Sequence, residues 1–261
     1  MKILVVGSGG REHAIIKKIK ESGENHEIFA APGNGGIAAD AVCVPISATD
    51  LSGMVVFAIK NHIEFVIVAP DDPLVLGMVD AFTQAGIRSF GPNKAAAVIE
   101  GSKAFAKDLM KRYAIPTAGY EVFESYEAAA EAIQNNKIYP LVIKADGLAL
   151  GKGVVIAQNR KEALAAAHGM LCEGKFGESG RRVVIEEFLT GVEVSVLTLT
   201  DGDSILPLAS SMDHKRAYDD DQGPNTGGMG TIAPHPMFTQ KIADRCMDEI
   251  FQPTVQAMKA Q

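Results

Sequence analysis

Leu141-Val-Ile-Lys-Ala-Asp-Gly-Leu-Ala-Leu-Gly-Lys-Gly153 joins a short apolar run to a loop with a lysine at each end and glycines at 147, 151 and 153. The apolar run reads as a buried strand, and the glycines that follow end it. Lysines supply movable positive point charges. Glycines let backbone N–H groups approach an anion, because no Cβ stands in the way. A strand that delivers both to one loop reads as a phosphate-handling device. Lys144, at the end of an apolar strand, is expected to be half-buried and so to need an anionic partner. Lys152, between Gly151 and Gly153, sits where a flexible loop could close over a nucleotide. The loop is not a Walker A element, since it lacks G-x-x-x-x-G-K-[ST]. Asp146 reads as a turn residue rather than a metal ligand.

Strands and helices alternate on the N-terminal side of this loop. Residues 2–6 are β-rich and run into Gly7-Ser-Gly-Gly-Arg-Glu-His13 and a helical stretch. Further strands are expected at 27–30, 64–69 and 88–90, with helices at 50–61 and 74–85. This alternation predicts an α/β unit, a parallel sheet with helices on both faces, whose ligands bind beyond the carboxyl ends of the strands. From 101 to 190 the rhythm becomes α+β: a helix 102–113 that Ser102 can cap, a strand 120–123, a helix 126–134, the strand 141–144 with its loop, then 154–157, a helix 161–171 and a strand 183–189. Beyond 190, a strand with one buried face is expected over 192–200. A hairpin turn follows at Asp201-Gly-Asp203 and a return at 205–208. A polar segment 213–221, a glycine turn 223–230 and a closing helix 238–260 complete the chain.

Composition narrows the classes. The 261 residues are 47% hydrophobic and 22% charged, with a net charge of −7. That suits a soluble globular protein with a sizeable core and argues against a basic nucleic-acid surface. Cys43, Cys172 and Cys246 are scattered and odd in number, so a reducing, cytoplasmic setting and no cysteine metal site are expected. The apolar N-terminal run is too short for a signal peptide, and no membrane span is expected.

Several other segments carry candidate chemistry. The loop Gly7–Gly10 opens a helix and suits an anion. Glu12 occupies the third glycine position of the dinucleotide fingerprint, which weakens a nicotinamide reading. Arg11 can grip a phosphate, Glu12 a sugar hydroxyl or an amine. His13 reads as a packed or hydrogen-bonded residue. Asn34, in Ala31-Pro-Gly-Asn-Gly-Gly36, and Asp71 and Asp72 stand at the same expected sheet edge, where ordinary turns remain the alternative. Lys103 opens a helix, where the dipole disfavours a cation, which suggests an anionic partner. In Ile185-Glu-Glu-Phe-Leu-Thr-Gly-Val-Glu193 two carboxylates end a strand and a third follows a turn. Such a segment could read an adenine and a ribose, or be a solvated hairpin. Asp213-His-Lys-Arg216 and the acidic run 219–221 beside Asn225-Thr-Gly-Gly-Met-Gly230 could hold a zwitterion or a phosphorylated intermediate, or form a surface loop. No Ser/His/Asp or Cys/His set supports nucleophilic catalysis.

GSGGREHA (7–14), APGN (31–34), GSKAFAK (101–107), IKADGLALGKGV (143–154), IEEFL (185–189) and DHKRAYDDDQGPNTGGMG (213–230) together closely resemble the glycinamide ribonucleotide synthetase family (phosphoribosylamine–glycine ligases) of the ATP-grasp superfamily. The resemblance covers essentially the whole chain. One departure is Ala69-Pro-Asp-Asp72, where the family usually reads Gly-Pro-Glu, so the ligand role of Asp71 or Asp72 stays open. The resemblance implies three parts: a pre-ATP-grasp, substrate-binding domain over 1–100; a first ATP-grasp subdomain over 101–190 with its lid at about 119–189; and the start of a second subdomain over 191–261.

The implied activity is ATP-dependent ligation of glycine to 5-phosphoribosylamine through glycyl phosphate, in de novo purine synthesis. By resemblance Lys103, Lys144, Gly151, Lys152 and Gly153 hold ATP phosphates. Glu186, Phe188 and Leu189 contact adenine, the last two through backbone, and Glu193 holds the ribose. Gly9, Gly10, Arg11, Glu12, Asn34 and Asp71 or Asp72 cradle phosphoribosylamine. Asp213, Lys215 and the loop Asn225, Thr226, Gly227, Gly228, Met229 and Gly230 place glycine and its acyl phosphate. Lys144, Lys152, Asp213 and Lys215 are then the catalytic candidates. Magnesium or manganese is implied as well, and its Glu and Asn ligands would lie beyond Gln261. The chain therefore reads as shorter than the family's usual length and of little activity unless the rest is supplied. The implied full-length protein is a monomer. A non-catalytic ATP-binding module and, less favoured, a nicotinamide-dependent dehydrogenase are the alternatives.

Overall fold

A computed structural model describes residues 1–148, 153–220 and 222–261, with Asn225 described by its backbone alone. The chain divides into two compact units, Met1–Ser102 and Lys103–Gln261.

The first unit is built on five parallel strands. In chain order its elements are β1 (Lys2–Gly7), α1 (Gly10–Lys20), β2 (Glu27–Pro32), β3 (Val42–Cys43), α2 (Leu51–Lys60), β4 (Phe65–Val68), α3 (Asp71–Leu76), α4 (Met78–Gln84), β5 (Arg88–Phe90) and α5 (Lys94–Gly101). The strand order is β3-β2-β1-β4-β5, with β1 at the centre. A central strand is covered on both faces, so it reads as an unbroken apolar run rather than an alternation. Leu4 and Val6 face one core, with Met54, Met78 and Phe82 from the helices. Ile3 and Val5 face the other, with Ile16 and Ile37. Parallel pairing brings the carboxyl ends together, since Gly7 is in register with Pro32 and Val6 with Val68. The loops 7–10, 33–36 and 70–73 therefore share one sheet edge.

Two local expectations change. The single helix over 74–85 is α3 and α4, broken at Gly77, whose φ of 96° a side-chain-bearing residue rarely adopts. Helix α5 is not expected from the sequence. Its alanine run gives no apolar stripe, and its start signal is a single cap, Asn93 accepting from the Ala96 N–H at 2.8 Å.

In the second unit come α6 (Lys103–Arg112), β6 (Tyr120–Phe123), α7 (Tyr126–Asn135), β7 (Leu141–Ala145), β8 (Val154–Ala157), α8 (Arg160–Leu171) and β9 (Val183–Glu187). The strands form an antiparallel sheet of order β6-β9-β7-β8. Leu141, Ile143 and Ala145 of β7, with Val183 and Ile185 of β9, pack on the helices through Ala129, Ile133, Ala163, Ala167 and Met170. Side chains alternate across a strand, so Val142, Lys144, Val184 and Glu186 point to the opposite face.

Two hairpins follow: β10 (Thr198–Thr200) with β11 (Ile205–Pro207), and β12 (Met212–Tyr218) with β13 (Gln222–Ile232). The first has the expected turn, in which Asp201 Oδ1 accepts the N–H groups of Asp203 and Ser204 at 3.0 and 2.7 Å. The strand expected over 192–200 is reduced to Thr198–Thr200, because Val192 and Val194 are exposed rather than turned into a core. The segment expected as a polar loop and a glycine turn is instead the second hairpin. Its ladder pairs His214 with Gly230 and Arg216 with Asn225, so residues 226–229 bulge from it. The closing helix is α9 (Gln240–Cys246) and α10 (Gln252–Ala260), joined by a short π-helix over Met247–Phe251. Among the described residues no helix is long and apolar enough to cross a membrane.

Candidate functional site

A buried charge cluster of the second unit lies on the sheet face opposite its core. β7 and β9 pair Val142 with Glu186 and Lys144 with Val184, so Lys144 and Glu186 are diagonal neighbours on that face. Lys144 Nζ donates to Glu186 Oε2 at 2.8 Å. Lys107, from α6, approaches the same oxygen at 3.2 Å. Glu186 is 5% exposed, and its Oε1 has no hydrogen-bond partner among the described residues. A buried, unpaired carboxylate oxygen costs about 1–3 kcal/mol or more. It marks a place where a donor is wanted.

Lys103 and Asp146 tie the start of α6 to the loop that follows β7. Lys103 Nζ donates to the Gly147 carbonyl at 2.6 Å. Asp146 Oδ1 accepts the Ala104 N–H at 3.0 Å, and its other oxygen meets Arg182 at 2.6 Å. Asp146 thus serves one of the N–H groups that a helix start leaves unpaired. Of the two lysines expected to bracket the loop, Lys144 is described at its start; Lys103, expected at a helix start beside an anionic partner, instead donates to a loop carbonyl. Gly151 and Lys152 lie outside the described residues; Gly153 is described, and its carbonyl accepts the Ala145 N–H at 2.8 Å. Beside this cluster Tyr120 donates to Asp108 at 2.6 Å. Burial first, and Asp108 second, push its phenol up to about 12.

Glu187, Phe188 and Leu189 continue from β9. Glu187 is held by the Gly119 N–H at 2.8 Å, while Phe188 and Leu189 are exposed where the strand ends. Glu193 forms an ion pair with Lys215 of β12, which joins two candidates 22 residues apart. Asp213 accepts from Thr231 Oγ1 at 3.1 Å, and Thr226 Oγ1 donates to the Lys215 carbonyl at 2.9 Å. Gly227, Gly228, Met229 and Gly230 are exposed in and beside the bulge, with Gly228 at φ 117°. The backbone of Asn225 pairs with Arg216.

The sheet edge of the first unit gathers the other candidates. Glu12 is buried, and its carboxylate accepts the Gly9 N–H at 2.5 Å as half of a capping box. It shapes the loop. Gly10 and Arg11 are exposed at the start of α1, whose first N–H groups have no intrahelical partner. Asn34 donates to the Ser8 carbonyl at 2.7 Å and accepts from the Ile37 N–H at 2.8 Å, locking two loops together. Asp71 and Asp72 are exposed in the first turn of α3.

This edge has little slack. Gly7 has φ 128°, and a Cβ there would lie 2.6 Å from Glu12 Cγ and 2.9 Å from Pro70 Cγ. Gly7→Ala is expected to cost about 2 kcal/mol or more, by backbone strain and overpacking together. Denaturant unfolding measures it. A stability within ~0.5 kcal/mol of the parent would remove the close-approach explanation.

His13 is paired, as its place on the helix suggested: Nε2 lies 2.9 Å from Asp40, whose other oxygen accepts from Lys20 at 2.8 Å. The Lys20 hydrogen bond, then that of His13, hold the Asp40 carboxyl at about 2, below its ordinary 3.8. A lowered carboxylate stabilises the fold above its unfolded value, and that contribution is lost as pH falls through the folded one. The stability gap between the parent and Asp40→Asn is therefore expected to be full above about pH 4 and to close towards pH 2. Paired urea melts across that range test it; a gap that does not change with pH would contradict it.

Lys107 belongs to this site without being among the candidates drawn from the sequence. Its spacing of four from Lys103 puts both on one helical face, and that was the available signal. Asp146 has more to do than make a turn, since it caps α6 and pairs with Arg182. For the magnesium or manganese implied by resemblance, the described residues contain no group of three or more His, Cys, Asp or Glu that could hold an ion. The described residues do not by themselves make a site for such a metal.

Comparison with known proteins places these features in one family. Residues 1–100 match the phosphoribosylglycinamide synthetase N domain, and residues 101–261 match the ATP-grasp (A) domain of the same synthetase. A phosphoribosylamine–glycine ligase from Allochromatium vinosum is 53% identical over the whole chain, which spans 61% of that relative. A ligase of the same name from Streptococcus pneumoniae is 49% identical over 99% of the chain, again spanning 61% of the relative. The crystal structure of the Thermotoga maritima phosphoribosylamine–glycine ligase superposes with a TM-score of 0.81 at 34% identity, covering all of this chain and 62% of that one. The chain thus spans about three-fifths of the length of these relatives.

Proposed function

The chain belongs to the phosphoribosylglycinamide synthetase family, and from that premise we propose that it carries the ATP-binding and substrate-binding parts of a phosphoribosylamine–glycine ligase. The reaction is ATP + glycine + 5-phosphoribosylamine → ADP + phosphate + glycinamide ribonucleotide. The observation that supports the reading is the buried Glu186, with two lysines on one carboxylate oxygen and no hydrogen-bond partner among the described residues on the other.

A carboxylate is a poor acyl donor until its oxygen becomes a leaving group. An oxygen of glycine's carboxylate attacks the γ-phosphorus, the bond to ADP breaks, and glycyl phosphate forms. The amine of phosphoribosylamine then attacks the acyl carbon, and phosphate departs carrying one glycine oxygen as the nitrogen loses a proton. Such transfers depend on positioning and charge neutralisation more than on a protein nucleophile.

In this reading Lys103, Lys144 and Lys152 neutralise ATP phosphates. Glu186 accepts from adenine's amino group, and the backbone at Phe188 and Leu189 reads its edge. Glu193 holds the ribose, and its ion pair with Lys215 links that end of the nucleotide to the glycine-binding segment of Asp213 and the bulged loop. Gly9, Gly10, Arg11, Asn34 and Asp71 or Asp72 receive the phosphoribosylamine, with Glu12 holding the loop in shape. The domain boundaries follow: 1–100 for the ribosylamine, 101–190 with a lid at about 119–189, and 191–261 for the second ATP-grasp part.

Calorimetric titration with ATP and with NAD tests the reading. Saturable ATP binding with no NAD binding is expected; the reverse order would reject it in favour of a dinucleotide enzyme.

A further inference from the structure

Lys107 is, among the described residues, the one buried lysine or arginine, at 7% exposure. Its ammonium has three donors, and all are committed. Nζ lies 3.2 Å from Glu186 Oε2, donates to Thr117 Oγ1 at 2.8 Å and to the Ala118 carbonyl at 3.4 Å. It also stands over the Tyr120 ring, 5.6 Å from the centroid. Lys144 donates to the same Glu186 oxygen. Both cations therefore engage Oε2, while Oε1 stays buried without a partner among the described residues.

We infer that Lys107 is a positioning residue for nucleobase selection: by anchoring Oε2 it presents Oε1 as a fixed acceptor, which favours 6-aminopurine over 6-oxopurine nucleotides. The inference rests on the ATP reading above. An amino group at purine position 6 donates to Oε1. A carbonyl there sets oxygen against oxygen and leaves both unpaired, and a site built around one hydrogen bond rejects a ligand that cannot make it. Lys144 alone would not fix the choice of oxygen. Its side chain is 27% exposed against 9% for Lys107, so without Lys107 the carboxylate can turn and share both oxygens with Lys144.

The test is calorimetric titration of the full chain with ATP and with inosine triphosphate, whose base carries a 6-oxo group in place of the 6-amino group and, with it, a proton on N1. The parent is expected to bind ATP at least ~10²-fold more tightly. Lys107→Met, which keeps the length and apolar stem, is expected to reduce that ratio to about tenfold or less, and Lys107→Arg to restore most of it. A Lys107→Met protein that loses affinity for both nucleotides equally, with the ratio unchanged, overturns the inference and leaves the ATP reading standing. So does a parent that binds both nucleotides alike. A parent that binds neither overturns the ATP reading and this inference together. Should Lys107→Met fail to fold in a thermal melt, Thr117→Val removes the hydroxyl that holds Nζ and is expected to lower the ratio several-fold; an unchanged ratio there also overturns the inference.

Discussion

Lys144→Ala is expected to lower ligase turnover by about 10²–10³-fold, the range for removing one preorganised group that stabilises transition-state charge. The argument begins with register. Lys144 is the fourth residue of a strand whose first, third and fifth side chains form the core, so its stem must cross to the other face. There its partner is Glu186, at 2.8 Å. The side chain is 27% exposed, enclosed enough for its charge to count and open enough to reach a ligand. Lys144→Arg is expected to recover only part of the activity, since a planar fork does not replace a compact point charge. Steady-state kinetics with the protein expressed from its whole reading frame decides the matter. Unchanged kinetics for the alanine variant would remove Lys144 from phosphate handling.

Glu186→Ala is expected to destabilise the second unit by about 3–5 kcal/mol, the usual cost of breaking a buried ion pair from one side. The cost lies in what remains. Lys107 keeps Thr117 and Ala118 but loses its counter-charge in a buried setting. An exposed pair such as Lys18–Glu21 behaves differently, and removing it should cost about 0–1 kcal/mol. The two variants together separate enclosure from mere pairing. Equal small losses in urea melts would mean that the Glu186 cluster is as well solvated as the surface pair.

Much of this was legible in the sequence where composition and geometry agree. The run Ile3-Leu-Val-Val6 had to be a doubly covered strand, and the loops at 7–10 and 33–36 had to share its carboxyl edge once the strands were parallel. Lys144 pointed to its own face because β7 alternates around it. The second hairpin was not legible, because Gln222–Ile232 is rich in glycine and polar residues and its pairing with Met212–Tyr218 is a property of two segments together. The break at Gly77 hid for a related reason: a glycine inside an apolar helical pattern is consistent with either one helix or two. At the site, Glu12 was legible as a carboxylate beside an anion loop. That it would spend itself on the Gly9 N–H follows from the capping geometry of α1. Lys107 was hidden because a lysine in a helix is ordinarily a solvated one, and it is Thr117, Ala118, Tyr120 and Glu186, all outside its own helix, that surround it.

The central claim is that glycine's carboxylate is phosphorylated by ATP before the amine attacks. The direct measurement supplies glycine labelled with oxygen-18 in its carboxylate, together with ATP and phosphoribosylamine, to the protein expressed from its whole reading frame, and analyses the released phosphate by mass. The account predicts one labelled oxygen in each phosphate formed alongside glycinamide ribonucleotide. Unlabelled phosphate accompanying the product would contradict it.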